Sequence, residues 1–80
     1  MNIERIEWVD SNGMARWYTL ADIIELLPLA GCTSVGFVVR ETDDGLWLSM
    51  SYDHQEGDEQ HFDHTTVIPK VAITKREVIG

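Results

Sequence analysis

Every histidine of the chain, His54, His61 and His64, lies in the stretch DHQEGDEQHFDH. Asp53, Glu56, Asp58, Glu59 and Asp63 share that stretch, and no Lys or Arg does. Imidazole with carboxylate is a donor set suited to zinc, manganese or iron. The three histidines are therefore the candidate metal ligands. Their spacing decides how well they serve. His61 and His64 are three apart, which brings them to one face only if the segment is helical. In a strand they point to opposite faces. Phe62 between His61 and Asp63 suggests extended alternation, so the expectation is a polar hairpin arm without a metal. No cofactor is expected.

The same stretch belongs to a larger acidic window. Residues 41 to 64 hold eight acids and no Lys or Arg, whereas six acids and six bases occupy the rest of the chain, so the net charge of −8 arises in this one window. Binding of a nucleic-acid backbone relies on Lys and Arg displacing counterions, so nucleic acid is disfavoured as a partner. An anionic membrane surface is disfavoured for the same reason. The field favours cations and basic protein surfaces. Asp43, Asp44, Asp53, Glu56, Asp58, Glu59 and Asp63 are the candidate docking carboxylates. Trp47 joins them as an aromatic anchor, because it points opposite to Leu46 and Leu48 along its strand. If Leu46 and Leu48 face the core, Trp47 lies outside and favours a homo-oligomer. In a two-faced core it lies beneath a helix instead.

Catalysis needs a cleft, a perturbed group and a partner for it. No phosphate-cradling Gly loop, dinucleotide fingerprint or nucleophile elbow is present. Cys32 follows Gly31 with no nucleophile signature. The reading is a binding protein without enzymatic activity, which docks on a protein with a basic surface. Two alternatives come from other classes. A small-molecule or nucleotide binder would hold its ligand between protomers, with Arg16, Arg40 and Lys70 converging on it. A metal-dependent enzyme would use the His/Asp stretch.

The elements that position these groups can be read from periodicity. At 80 residues, 44 % hydrophobic and 25 % charged, the chain is one globular domain spanning residues 1–80. A domain of this size buries only about 60 to 65 % of its unfolded surface. The single cysteine gives no internal disulfide, and charge begins at Glu4. No apolar run approaches the ~20 residues of a membrane span. The expected location is the cytoplasm.

NIERIEWVD puts Ile6 and Trp8 on one strand face and Arg5, Glu7 and Val9 on the other. TLADIIELLP reads as a short helix. Thr19 caps it, Asp22 stands in the capping-box position, and Pro28 ends it. Leu20, Ile23, Ile24 and Leu27 form one apolar stripe. A helix of about two turns is unstable alone, so it is expected to dock on the sheet.

CTSVGFVVRE and GLWLSMSYD form a hairpin, with Val35, Phe37 and Val39 alternating on one strand and Leu46, Leu48, Met50 and Tyr52 on the other. TDDG makes the turn, with Gly45 free to take positive φ. Gly36 marks a bend or a close backbone approach. TTVIPKVAITKREVI gives two more strands, broken by Pro69 and a one-turn connection. The expected fold is mainly β: a small five-stranded barrel, SH3-like or Sm-like, with one short helix between strands 1 and 2. An open antiparallel sheet with the helix on one face is the alternative.

VGFVVRETDDGLWLSMS followed by VIPKVAITKREVI resembles the strand succession of Sm-like and SH3-like small barrels. In those barrels a one-turn helix precedes the last strand, as IPKVAI would here. EWVDS, CTSVGFVVRE and VIPKVAI together also resemble short uncharacterised accessory proteins of tailed phages and prophages. That resemblance covers most of the chain and implies a phage accessory or inhibitor protein acting in the host cytoplasm. It implies no reaction. Sm proteins bind RNA through basic, Gly-bearing loops late in the barrel. The corresponding GDEQHFDHTT is acidic, so RNA binding is not carried over.

Overall fold

The computed structural model describes residues 1–11, 17–55 and 59–80. Five antiparallel strands form one sheet: β1 (Ile3–Asp10), β2 (Ala30–Glu41), β3 (Gly45–Tyr52), β4 (Phe62–Pro69) and β5 (Ile73–Val78). Their order in the sheet is β4-β3-β2-β1-β5. Among the described residues one helix, α1 (Leu20–Leu26), lies between β1 and β2, and a 3-10 turn (Lys70–Ala72) joins β4 to β5. The chain is therefore mainly β, as expected. No ladder joins β4 to β5 among the described residues, so the sheet is open. Pro69 closes β4, an edge strand, where its missing N–H leaves no ladder bond unmade.

The sheet curls. Ile6 on β1 and Ile68 on β4 stand three strands apart, yet both are fully enclosed in one cluster with Leu46 and Leu48 of β3. Trp8, Val38 and Ile73 pack around them. The bend is made in β2, where Gly36 lies against β3. A Cβ at this position would sit 2.8 Å from the Ser49 carbonyl oxygen and 3.2 Å from Leu48 Cβ. Backbone at that distance cannot yield as a flexible side chain would, so the close approach needs glycine. A register shift between Val38 and Arg40 adds to the curvature.

Three local features of the hairpin go beyond what its alternation fixes. The apolar alternation Val35, Phe37, Val39 is not the inner face of β2. Ser34 and Gly36 face Ile6 and Glu4 across the ladder, Val38 faces Leu48, and Val35 is exposed. Both faces of β2 carry apolar residues, so alternation alone cannot choose between them. On β3, Met50 shares the parity of Leu46 and Leu48 but is 69 % exposed, because the core stops at Leu48. Gly45 does not adopt positive φ. It is small because the Trp47 ring and Val67 close over it, at 3.0 and 3.2 Å from where a Cβ would be.

Helix α1 forms as its sequence dictates. Thr19 Oγ1 accepts from the Asp22 N–H at 3.2 Å, and an Asp22 carboxylate oxygen accepts from the Thr19 N–H at 3.4 Å, completing the capping box. Its docking is otherwise than expected. Leu20, Ile23 and Ile24 remain exposed, and among the described residues no strand packs substantially against the helix.

Candidate functional site

The acids that are contiguous in sequence are divided between two ends of β3. Asp43 and Asp44 occupy the β2–β3 turn. Asp53 and Glu59 belong to the β3–β4 connection and Asp63 to the start of β4 beside it, beyond about 25 Å of β3. Glu56 and Asp58 lie outside the described residues.

At the turn end the chain's own cations answer Glu41, while Asp44 is held through its backbone. The Thr42 hydroxyl accepts from the N–H groups of Asp44 and Gly45, and the Asp44 carbonyl accepts from the Lys70 N–H at 2.9 Å. Glu41 is bonded to Lys70 Nζ and to Arg76, whose Nη1 lies 2.9 Å from Oε2. Those two cations, Arg76 first, hold the Glu41 carboxyl far below its ordinary range, at about 2. Arg76 also grips Glu4 in a two-pronged pair, Nε and Nη2 each 2.9 Å from a carboxylate oxygen. Glu4 is 5 % exposed. This Glu4–Arg76–Glu41–Lys70 network was not anticipated. One signal pointed to it: Glu4 shares the strand parity of Ile6 and Trp8, so it had to be a carboxylate on the buried face.

The other end is organised by Asp53. Its Oδ1 accepts from the His61 and Gln55 N–H groups at 3.2 and 3.3 Å, and its Oδ2 meets His61 Nδ1 at 2.9 Å. The Asp53 N–H donates to the His61 carbonyl at 3.1 Å, which closes the base of the connection. The His61 ring, foremost among these partners, lowers the Asp53 pKa. Next to Asp53 in the chain, the Tyr52 ring packs edge-on against Phe37 and tilted against Phe62. His64 Nδ1 pairs with Asp63 Oδ2 at 2.9 Å, and His64 itself has φ 48. His54 is exposed. Each paired histidine thus has its own neighbouring aspartate. Among the described residues no three His, Cys, Asp or Glu side chains converge as a metal site would require.

Two of the candidate ligand-capturing cations, Arg40 and Lys70, have partners of their own. Arg40 stacks over the Trp47 ring at 4.6 Å from its centroid. Lys70 pairs with Glu41, which projects to the opposite side of β2 from Arg40. The two do not converge, and Arg16 lies outside the described residues. No pocket is found among the described residues. Trp47 stands on the face opposite Leu46 and Leu48, as its parity requires, but Arg40 and Val67 leave it half-buried. Cys32 is half-buried opposite Trp8. No helix among the described residues is long and apolar enough to cross a membrane.

No family model, curated protein or solved structure matches the chain.

Proposed function

We propose that the chain is a non-enzymatic binding protein, a phage accessory or inhibitor protein that docks on a basic surface of a host cytoplasmic protein. The curled sheet is read as an opened Sm-like or SH3-like barrel. Its strand order and the 3-10 turn before β5 support that reading.

The observation that carries the docking reading is the charge balance of the β3–β4 connection together with the start of β4. Residues 53–64 hold five acids and no Lys or Arg, while Glu41 at the opposite end is matched by Lys70 and Arg76. Glu59 and Asp63 are exposed. Carboxylates displayed on a strand-supported connection can take the place of phosphates on a basic surface. The docking site of this reading is Asp53, Glu59 and Asp63, joined by Glu56 and Asp58 of the same sequence stretch. Asp43, Asp44 and Trp47 stand apart from it.

Charge reversal tests this directly. A partner captured from bacterial extract is expected to associate about tenfold more slowly with the Glu59→Lys, Asp63→Lys double variant at low salt, since steering acts on the association rate. Raising salt is expected to slow the wild-type chain towards the variant's rate. Association kinetics followed by surface plasmon resonance would read both effects. A complex indifferent to reversal and to salt would contradict docking through this end.

A further inference from the structure

The chain leaves more surface uncovered than a folded monomer does. Its accessible area is 6135 Å². A folded monomer of 9.1 kDa exposes about 4,900 Å². The excess, about 1,200 Å² per chain, is larger than the ≈ 800 Å² that each partner of a standard interface buries. The shape agrees. The radius of gyration is 16.3 Å, against about 12 Å for a compact chain of this length.

Much of the excess is apolar and lies around α1. Trp17 is 102 % exposed, Ile24 73 %, and Leu20 and Leu29 71 % each. Leu20, Ile23 and Ile24 form an uncharged stripe, with Asp22 and Glu25 on the opposite side of the helix. Two helical turns do not persist in water without a packed face, however well capped. The sheet has a matching deficiency. Its inner surface runs on past Leu48 to Met50, which nothing covers.

We infer that α1 docks on a second copy of this chain, laying Leu20 and Ile24 over the partner's inner sheet face beside Met50. The stripe and the bare patch occur on the same chain, so two copies satisfy both at once, and the excess area is of the size a dimer needs. Self-association through α1 stands whether or not the acidic end finds a basic partner.

Sedimentation equilibrium tests the state. At about 100 µM chain, the wild type is expected at twice the single-chain mass or a higher multiple. The Leu20→Glu, Ile24→Glu variant is expected to lose that association while keeping its sheet circular dichroism. A wild type at single-chain mass, or a variant that still associates, overturns the inference. A second experiment does not depend on the folding of that variant. In a Cys32→Ser background, a chain carrying Ile24→Cys is mixed with one carrying Met50→Cys under mild oxidation. The mixed disulfide dimer is expected to predominate. Its absence, or a product linked only through two copies of Ile24→Cys, overturns the placement.

Discussion

Replacing Arg76 by Met is expected to destabilise the chain by about 3 kcal/mol, the low end for breaking a buried ion pair. Glu4 is enclosed, and Arg76 supplies both hydrogen bonds recorded for its carboxylate oxygens. Without that partner a charge stays desolvated on the inner face of β1. Glu41 loses less, because Lys70 remains beside it. For a domain of this length the change corresponds to a fall in Tm of about 12 °C or more. The double variant Glu4→Met, Arg76→Met removes the charge with its partner and is expected to recover most of the loss. Thermal unfolding of the two variants at equal chain concentration would decide. A loss below about 1 kcal/mol for Arg76→Met, within the range of an exposed pair, would show that the pair does not hold Glu4 in the fold.

The same substitution has a signature in acid. The folded-state pKa of Glu41 is depressed from 4.5 to about 2. Its ionisation therefore contributes stability that is fully present above about 4.5 and is lost as pH falls through about 2. Arg76 is the largest cause of the depression. In Arg76→Met the carboxyl is expected to titrate closer to its ordinary value, and NMR of the Glu41 side chain would follow it.

Ile6→Ala is expected to cost about 3 kcal/mol, within the range for removing a fully buried Ile side chain. Total stability for a chain of this length is on the order of 4–12 kcal/mol, so the loss is a large share of it. The core explains why one side chain matters so much. Only Ile6, Leu46, Leu48 and Ile68 are buried hydrophobics among the described residues, and Ile6 links β1 to β3 and β4 across the curl. Val35 is 53 % exposed on the outer face of β2, and Val35→Ala is expected to stay within about 0.5 kcal/mol of the wild type. Urea unfolding of the pair checks the assignment of faces. Equal losses at Ile6 and Val35 would contradict it.

Much of this was legible in the sequence because local rules fix it. Alternation in IERIEW placed Ile6 and Trp8 on the core face. Thr19 and Asp22 announced the capping box, and Pro69 marked the break before β5. What alternation could not decide was which face of β2 turns inward, since Val35 and Val38 are equally apolar and the choice depends on how Gly36 lets the sheet bend. The helix face was legible too, but its cover was not. Leu20 and Ile24 say that something must pack there and not whether it is the chain's own sheet. The Glu4–Arg76 pair joins residues 72 apart, and no local pattern announces a contact of that range. At the candidate site, the acids formed one run in sequence, whereas the length of β3 separates Asp43 and Asp44 from Asp53 and its neighbours. The histidines looked like a ligand set by composition. Hairpin geometry gives His61 to Asp53 and His64 to Asp63 instead.

The central claim is that the chain works through contact surfaces for macromolecules and carries no resident ligand. Native mass spectrometry of the protein isolated from bacterial cells, with and without chelator, addresses it most directly. Masses at whole multiples of the bare chain, unchanged by chelator and extended only by bound protein, are the predicted result. One chelator-sensitive metal per chain, or a retained small molecule that survives chelation, would contradict it.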